Sequence, residues 1–164
     1  MYKRQIRNDI ERGMKKGDEE AFILHLIDVA GLRIGDELNS GEAFDRTQPK
    51  NEDGEFPRVP TYAARQLLGK HVSVDGTKVR LQYPSKHNEP LDKTIDNALL
   101  AKFFSDKKKT AGDEDKLFEP SAGKVRGYFQ KLGGGNQFKV HNFRHHHATR
   151  LVIDKLKGLS LIHI

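Results

Sequence analysis

The sequence predicts an α+β domain, mainly helical, with one small antiparallel sheet. Two observations predict it. Apolar residues recur at helical spacing in several segments, beginning with "DEEAFILHLIDVA" at residues 18–30. One segment, "HVSVDGTKVRLQYP", instead alternates on both sides of an Asp75-Gly76 pair, the turn dipeptide of a tight hairpin.

The elements follow in chain order. Residues 18–30 place Phe22, Ile23, Leu26, Ile27 and Ala30 on a helix, with Asp18 as its N-cap and Gly31 as its stop, leaving "GLRIGDE" at the exit. Residues 40–60 are polar and rich in Pro and Gly, and predict a surface insertion. Residues 70–75 and 78–83 then pair as strands, and a third short strand is expected near residues 89–94. "DNALLAKFF" from Asp96 predicts a helix, followed by a solvated charged loop, "SDKKKTAGDEDK". Ser121 opens the helix "SAGKVRGYFQKL", which Gly133, Gly134 and Gly135 stop. A last helix is expected from about Asn142 to Lys157, and there are no internal repeats.

Composition narrows the function classes. At 164 residues the chain is one domain's worth, and 35% hydrophobic residues with a mean hydropathy of −0.73 fit a well-solvated protein with a real core. No apolar run approaches the roughly 20 residues that a bilayer span requires, and the N-terminus lacks the apolar core of a signal peptide, so a cytoplasmic location is expected. The absence of cysteine excludes disulfides and thiolate metal sites. Twenty-nine Lys and Arg against 23 Asp and Glu give a net charge of +6 and a pI near 9.5, which favours a polyanionic partner.

The two ends carry a feature of their own. "MYKRQ" can be encoded by GTG TAT AAG AGA CAG, whose reverse complement, CTG TCT CTT ATA CAC, encodes Leu-Ser-Leu-Ile-His, and the chain ends "LSLIHI". The ends thus fit an inverted repeat in DNA, similar to the translated mosaic-end adapter of transposase-based sequencing libraries. Residues 1–5 and 159–164 are therefore expected to be adapter-derived, with residues 6–158 as part of a longer natural protein.

Three places can carry chemistry. Arg33 follows the first apolar helix, flanked by Gly31 and Gly35; Lys86 follows the second strand; and "HNFRHHHATR", residues 141–150, holds Arg144 among four histidines. A metal reading of the last segment fails on geometry. His141 and His145 lie at i, i+4 and could share an ion, but His145, His146 and His147 point in three directions around a helix, and no HExxH or comparable acidic partner is present.

Taken together, the three places resemble the active site of type IB DNA topoisomerases, a branch of the tyrosine recombinase superfamily. "GLRIGDE" is similar to the topoisomerase segment Leu-Arg-x-Gly-Asn-Glu, with Asp36 in place of the usual Asn. "TYAARQLLGKHVSVDGTKVRLQYPSK" resembles the family stretch that leads through an Arg-His-Val to the lysine hairpin, departing from it at Leu68 and Ser85. "HNFRHHHAT" resembles the topoisomerase pattern Lys-Asp-Phe-Arg-Thr-x-x-Ala-Thr and also the recombinase box His-x-Leu-Arg-His-x-x-Ala-Thr. The likeness runs over roughly residues 20–155.

The resemblance implies a mainly helical DNA breaking-rejoining catalytic domain, with a three-stranded sheet whose hairpin carries the lysine. In that family a tyrosine hydroxyl attacks a phosphodiester, leaving a 3′-phosphotyrosyl link and a free 5′-hydroxyl. The reaction conserves bond energy, so neither ATP, metal nor any other cofactor is expected. By resemblance Arg33 and Arg144 stabilise charge on the non-bridging oxygens, Lys86 protonates the leaving 5′-oxygen, and His141 donates a further hydrogen bond to the phosphate. The same likeness puts the hairpin in a DNA groove, with Lys70, His71, Lys78 and Arg80 as DNA-binding residues. The expected partner is double-stranded DNA, bound by a monomer, with no membrane.

The nucleophile is not found in the expected place. Tyr2, Tyr62, Tyr83 and Tyr128 all precede Arg144, whereas the family's tyrosine follows its second arginine. The chain is therefore expected to bind DNA weakly and not to cleave it. A tyrosine recombinase or integrase would share the same residues, but its first arginine usually lies closer to the hairpin than here. A DNA-binding module without a nucleophile is the non-enzymatic alternative.

Overall fold

The computed structural model describes residues 2–35, 42–132 and 139–160. Among them are five helices: α1 (Tyr2–Lys16), α2 (Glu19–Ala30), α3 (Ala98–Lys108), α4 (Ala122–Leu132) and α5 (His141–Ser160). Five strands form two antiparallel sheets. One pairs β1 (Glu42–Phe44) with β2 (Arg58–Pro60), and the other has the order β3 (Val72–Asp75), β4 (Lys78–Pro84), β5 (Pro90–Asp96). The α+β class is as the sequence predicts.

Helix α2 is the centre of the domain. Ala21, Phe22, Ile23, Leu24, Leu26, Ile27, Asp28 and Ala30 are all buried, so the helix is enclosed on nearly every side, as an all-round apolar helix must be. α1, α4 and α5 pack on it. From α1 come Ile6, Ile10 and Met14, spaced four residues apart on one stripe. On another side, Phe22 stacks on Phe103 of α3 with centroids 4.2 Å apart, and Phe103 stacks in turn on Phe118 at 5.3 Å.

The three-stranded sheet buries one face. In β4 Val79, Leu81 and Tyr83 point inward while Lys78, Arg80 and Gln82 point out, the period-2 pattern of a half-buried strand. Asp75 pairs with Lys78 around Gly76, whose φ of +59° is the turn conformation that the Asp-Gly dipeptide supplies. β5 then pairs along the whole of β4, from Lys78↔Asp96 to Pro84↔Pro90.

Four differences from the sequence expectations have physical causes. The apolar stripe of α1 makes a helix through residues 2–16, where no element was predicted. The polar segment 40–60 contains the short β1–β2 ribbon, whose strands are too brief to show alternation. α3 continues through Ser105–Lys108 into the expected charged loop, because Lys107 reaches Glu19 and Lys108 donates to the Val72 carbonyl. Asp18 precedes α2 as expected but does not cap it with its side chain; its carboxylate accepts the Tyr128 hydroxyl at 2.9 Å. Asp36, Gly133, Gly134 and Gly135 lie outside the described residues.

Candidate active site

Arg33 sits in an extended segment that leaves α2 through Gly31. Gly31 has φ +69°, the left-handed conformation that ends helices, and its N–H bonds to the Ile27 carbonyl. Leu32 is buried, which turns the neighbouring Arg33 towards a half-exposed position. Residues 62–65 then act as a backbone bracket. Ala64 N–H donates to the Arg33 carbonyl at 2.9 Å, Arg65 N–H to the Ile34 carbonyl at 3.3 Å, and Tyr62 N–H to the Pro84 carbonyl at 3.0 Å. One short stretch thereby ties the arginine segment to the end of β4.

β4 continues from that bracket into the lysine. Tyr83 is buried and lies near enough to Arg33 for their charges to interact, and Lys86 follows three residues later in the β4–β5 turn. The lysine therefore belongs to the second hairpin of the sheet, not to the Asp75-Gly76 turn. The turn is tight: Ser85 N–H bonds to the Glu89 carbonyl at 2.7 Å, and His87 and Asn88 both have positive φ, +65° and +59°. Lys86 is exposed, and no hydrogen bond or ion pair holds its ammonium among the described residues.

Arg144 comes from the other end of the chain. α5 crosses the C-terminus of α2, where Arg144 Nε donates to the Gly31 carbonyl at 3.0 Å. His147, one turn later, lies over Gly31 so closely that a Cβ on residue 31 would sit 2.8 Å from its Cδ2. Glycine is thus required at this position twice over, for its backbone and for the approach of α5. The approach also brings the Arg144 guanidinium within range of the charge on Arg33. Arg33 is held below the ordinary arginine pKa, chiefly by burial and secondly by the positive charge of Arg144.

His141 opens α5 and is exposed, with its ring edge-on to His145 at 5.5 Å. The side chains of Phe143 and His146 lie outside the described set. Among the described residues no group of three or more His, Asp or Glu could hold a metal ion.

The expected DNA-binding residues divide. His71 is buried: it is only 5% exposed, its Nδ1 accepts the Leu68 N–H at 3.2 Å, and its ring packs edge-on against Tyr62 at 4.2 Å. Burial lowers its pKa. This ring is a core group. Lys70 is exposed but its ammonium contacts both Glu114 oxygens at 2.7 and 2.8 Å, and Arg80 makes a two-point pair with Asp92 at 2.9 and 2.6 Å. Lys78 is exposed at the hairpin tip.

Tyr83 and Tyr128 are structural. Burial raises the Tyr83 hydroxyl far above its usual range, and burial with the Asp18 hydrogen bond pushes Tyr128 up to about 12. Neither is poised to ionise. Sequence reasoning placed Gly31 beside Arg33 but missed Tyr83 and the bracketing role of residues 62–65, which left no local signal. No helix of the described residues is long and apolar enough to cross a membrane. A scan against protein-family models finds no match for this chain, and a search of curated proteins finds none either.

Proposed function

We propose that this chain forms part of the catalytic domain of a type IB DNA topoisomerase, which relaxes supercoiled duplex DNA by transient cleavage of one strand. The observation that carries the reading is the Arg33–Arg144 pair. The two guanidiniums lie near enough for one to depress the other's pKa, and among the described residues no carboxylate forms an ion pair with either. Like charges held together favour a shared anion between them, and a phosphodiester offers two non-bridging oxygens to two planar forks.

On this reading a tyrosine oxygen bonds to phosphorus while the bond to the 5′-oxygen breaks. Negative charge on the non-bridging oxygens is met by Arg33 and Arg144, with His141 adding a hydrogen bond. Lys86, unpaired among the described residues, gives its proton to the departing 5′-oxygen, and the reverse steps reseal the strand. Tyr83 and Tyr128 are buried or engaged, and the family's attacking tyrosine follows the second arginine, where this sequence has none. The chain by itself binds duplex DNA and leaves it uncut.

The test has two parts. Duplex binding by this chain, followed by fluorescence anisotropy as salt is varied, is expected to show a linear fall in log affinity, with Arg144→Ala reducing the slope by about 1. A version of the protein that includes the tyrosine is expected to relax plasmid without ATP or Mg²⁺, and to lose that activity with the same substitution. Relaxation that survives Arg144→Ala removes Arg144 from the mechanism.

A further inference from the structure

Asn97 joins two helices through one amide group. It is the N-cap of α3, where its Oδ1 accepts the Leu100 N–H at 3.0 Å. An amide has one acceptor oxygen and one donor nitrogen, so the cap decides which way the group points. Its Nδ2 then lies 3.3 Å from Nε2 of His25 on α2. Because Nδ2 can only donate, Nε2 must accept, which requires a neutral imidazole with its proton on Nδ1.

His25 borders a cleft of about 690 Å³ between α1, α2, the start of α3 and α5. The charged groups on that cleft are Arg7 and Glu11 from α1, Asp28 from α2, and His147, Arg150 and Asp154 from α5. Arg7 and Asp28 neutralise each other in a two-point pair at 2.7 and 2.9 Å. On the β5 side, the Asp96 carboxylate is engaged by the Thr77 hydroxyl. Asp28 and Glu11 favour a charged imidazole, but burial outweighs them and favours the neutral ring.

We propose that the His25–Asn97 contact is a proton latch: protonation of His25 turns the Asn97 amide away from Leu100, uncaps α3 and loosens the seam between α2 and α3 along this cleft. An imidazolium has N–H at both nitrogens, so two donors would face each other across 3.3 Å. Rotating the amide gives the oxygen to His25 and leaves the Leu100 N–H without its cap. The seam that loosens holds the Phe22–Phe103 stack, and the opposite wall of the cleft is α5, which carries Arg144. The latch stands independently of the catalytic reading.

The experiment is NMR on ¹⁵N-labelled protein. Near neutral pH the His25 ring is expected to show a protonated Nδ1 and a bare Nε2. As pH falls, the Leu100 amide is expected to shift with the same midpoint as the His25 ring. Its hydrogen exchange, corrected for the intrinsic pH dependence, should quicken roughly five- to tenfold. Asn97→Asp keeps an oxygen on the cap and adds a negative charge that welcomes an imidazolium. It is expected to fold and to raise the His25 midpoint. A proton found on Nε2, a Leu100 amide that ignores the His25 titration, or a midpoint unmoved by Asn97→Asp would each overturn the proposal.

Discussion

Arg144 and Gly31, more than a hundred positions apart in the chain, are joined by a 3.0 Å hydrogen bond from the guanidinium Nε to the carbonyl. The contact uses a carbonyl that the end of α2 leaves free, and it fixes the second arginine beside the segment that carries the first. Gly31→Ala tests how much depends on it. A Cβ at φ +69° is strained and would sit 2.8 Å from the His147 ring, so a loss of about 2 kcal/mol in urea unfolding is expected, together with weaker DNA binding as α5 shifts. Unchanged stability would mean that α5 does not dock on this corner.

Arg7 secures α1 to α2 by a two-point pair with Asp28, whose carboxylate is only 8% exposed. Arg7→Ala leaves that carboxylate buried and unpaired, and the hydrogen bonds from Arg7 hold more than a surface pair would. A destabilisation of about 2 kcal/mol is expected by denaturant melting. Asp28→Asn in the same background should restore part of it, since the charge that lacks a partner is then gone.

Acid should weaken the fold through its buried histidines. Burial lowers the pKa of both His25 and His71 from the ordinary 6.5, and each accepts a hydrogen bond that a proton would abolish. Below 6.5 the unfolded chain takes up protons that the folded one refuses, so stability falls as pH drops from that value toward the lowered folded-state values, and falls no further below them. The urea midpoint is expected to be lower at about pH 5 than at about pH 7.5, and His25→Gln to flatten that slope. A midpoint that rises on acidification would refute the assignment.

Lys86 should be separable from the fold. Its side chain is exposed and unpaired among the described residues, so Lys86→Ala is expected to change stability by less than about 0.5 kcal/mol. The same variant is expected to lower the salt slope of DNA binding by about 1, as one phosphate contact is lost. A large loss of stability would make the lysine structural.

The strongest local signals led directly to structure. α2 is apolar on all sides and ends in a glycine, and Asp75-Gly76 sits between alternating runs; both elements stand within two residues of where the sequence puts them. β1 and β2 gave no such signal, because three-residue strands in a polar segment have no period to detect. At the site, no spacing relates Arg33 to Arg144. Their pairing was legible only through the resemblance, since it depends on α5 crossing the end of α2. The burial of His71 was not legible for the converse reason: a basic residue at the foot of a hairpin looks exposed, yet the Leu68 amide and two tyrosines enclose it.

The central claim is that Arg33 and Arg144 grip one phosphate. A double-mutant cycle on duplex DNA affinity at low salt tests it most directly, using Arg33→Ala, Arg144→Ala and the double variant. Each single substitution is expected to weaken binding several-fold, and the double variant to lose less than the product of the two, a coupling of at least about 0.5 kcal/mol. Effects that simply multiply would place the two arginines on separate contacts and contradict the shared clamp.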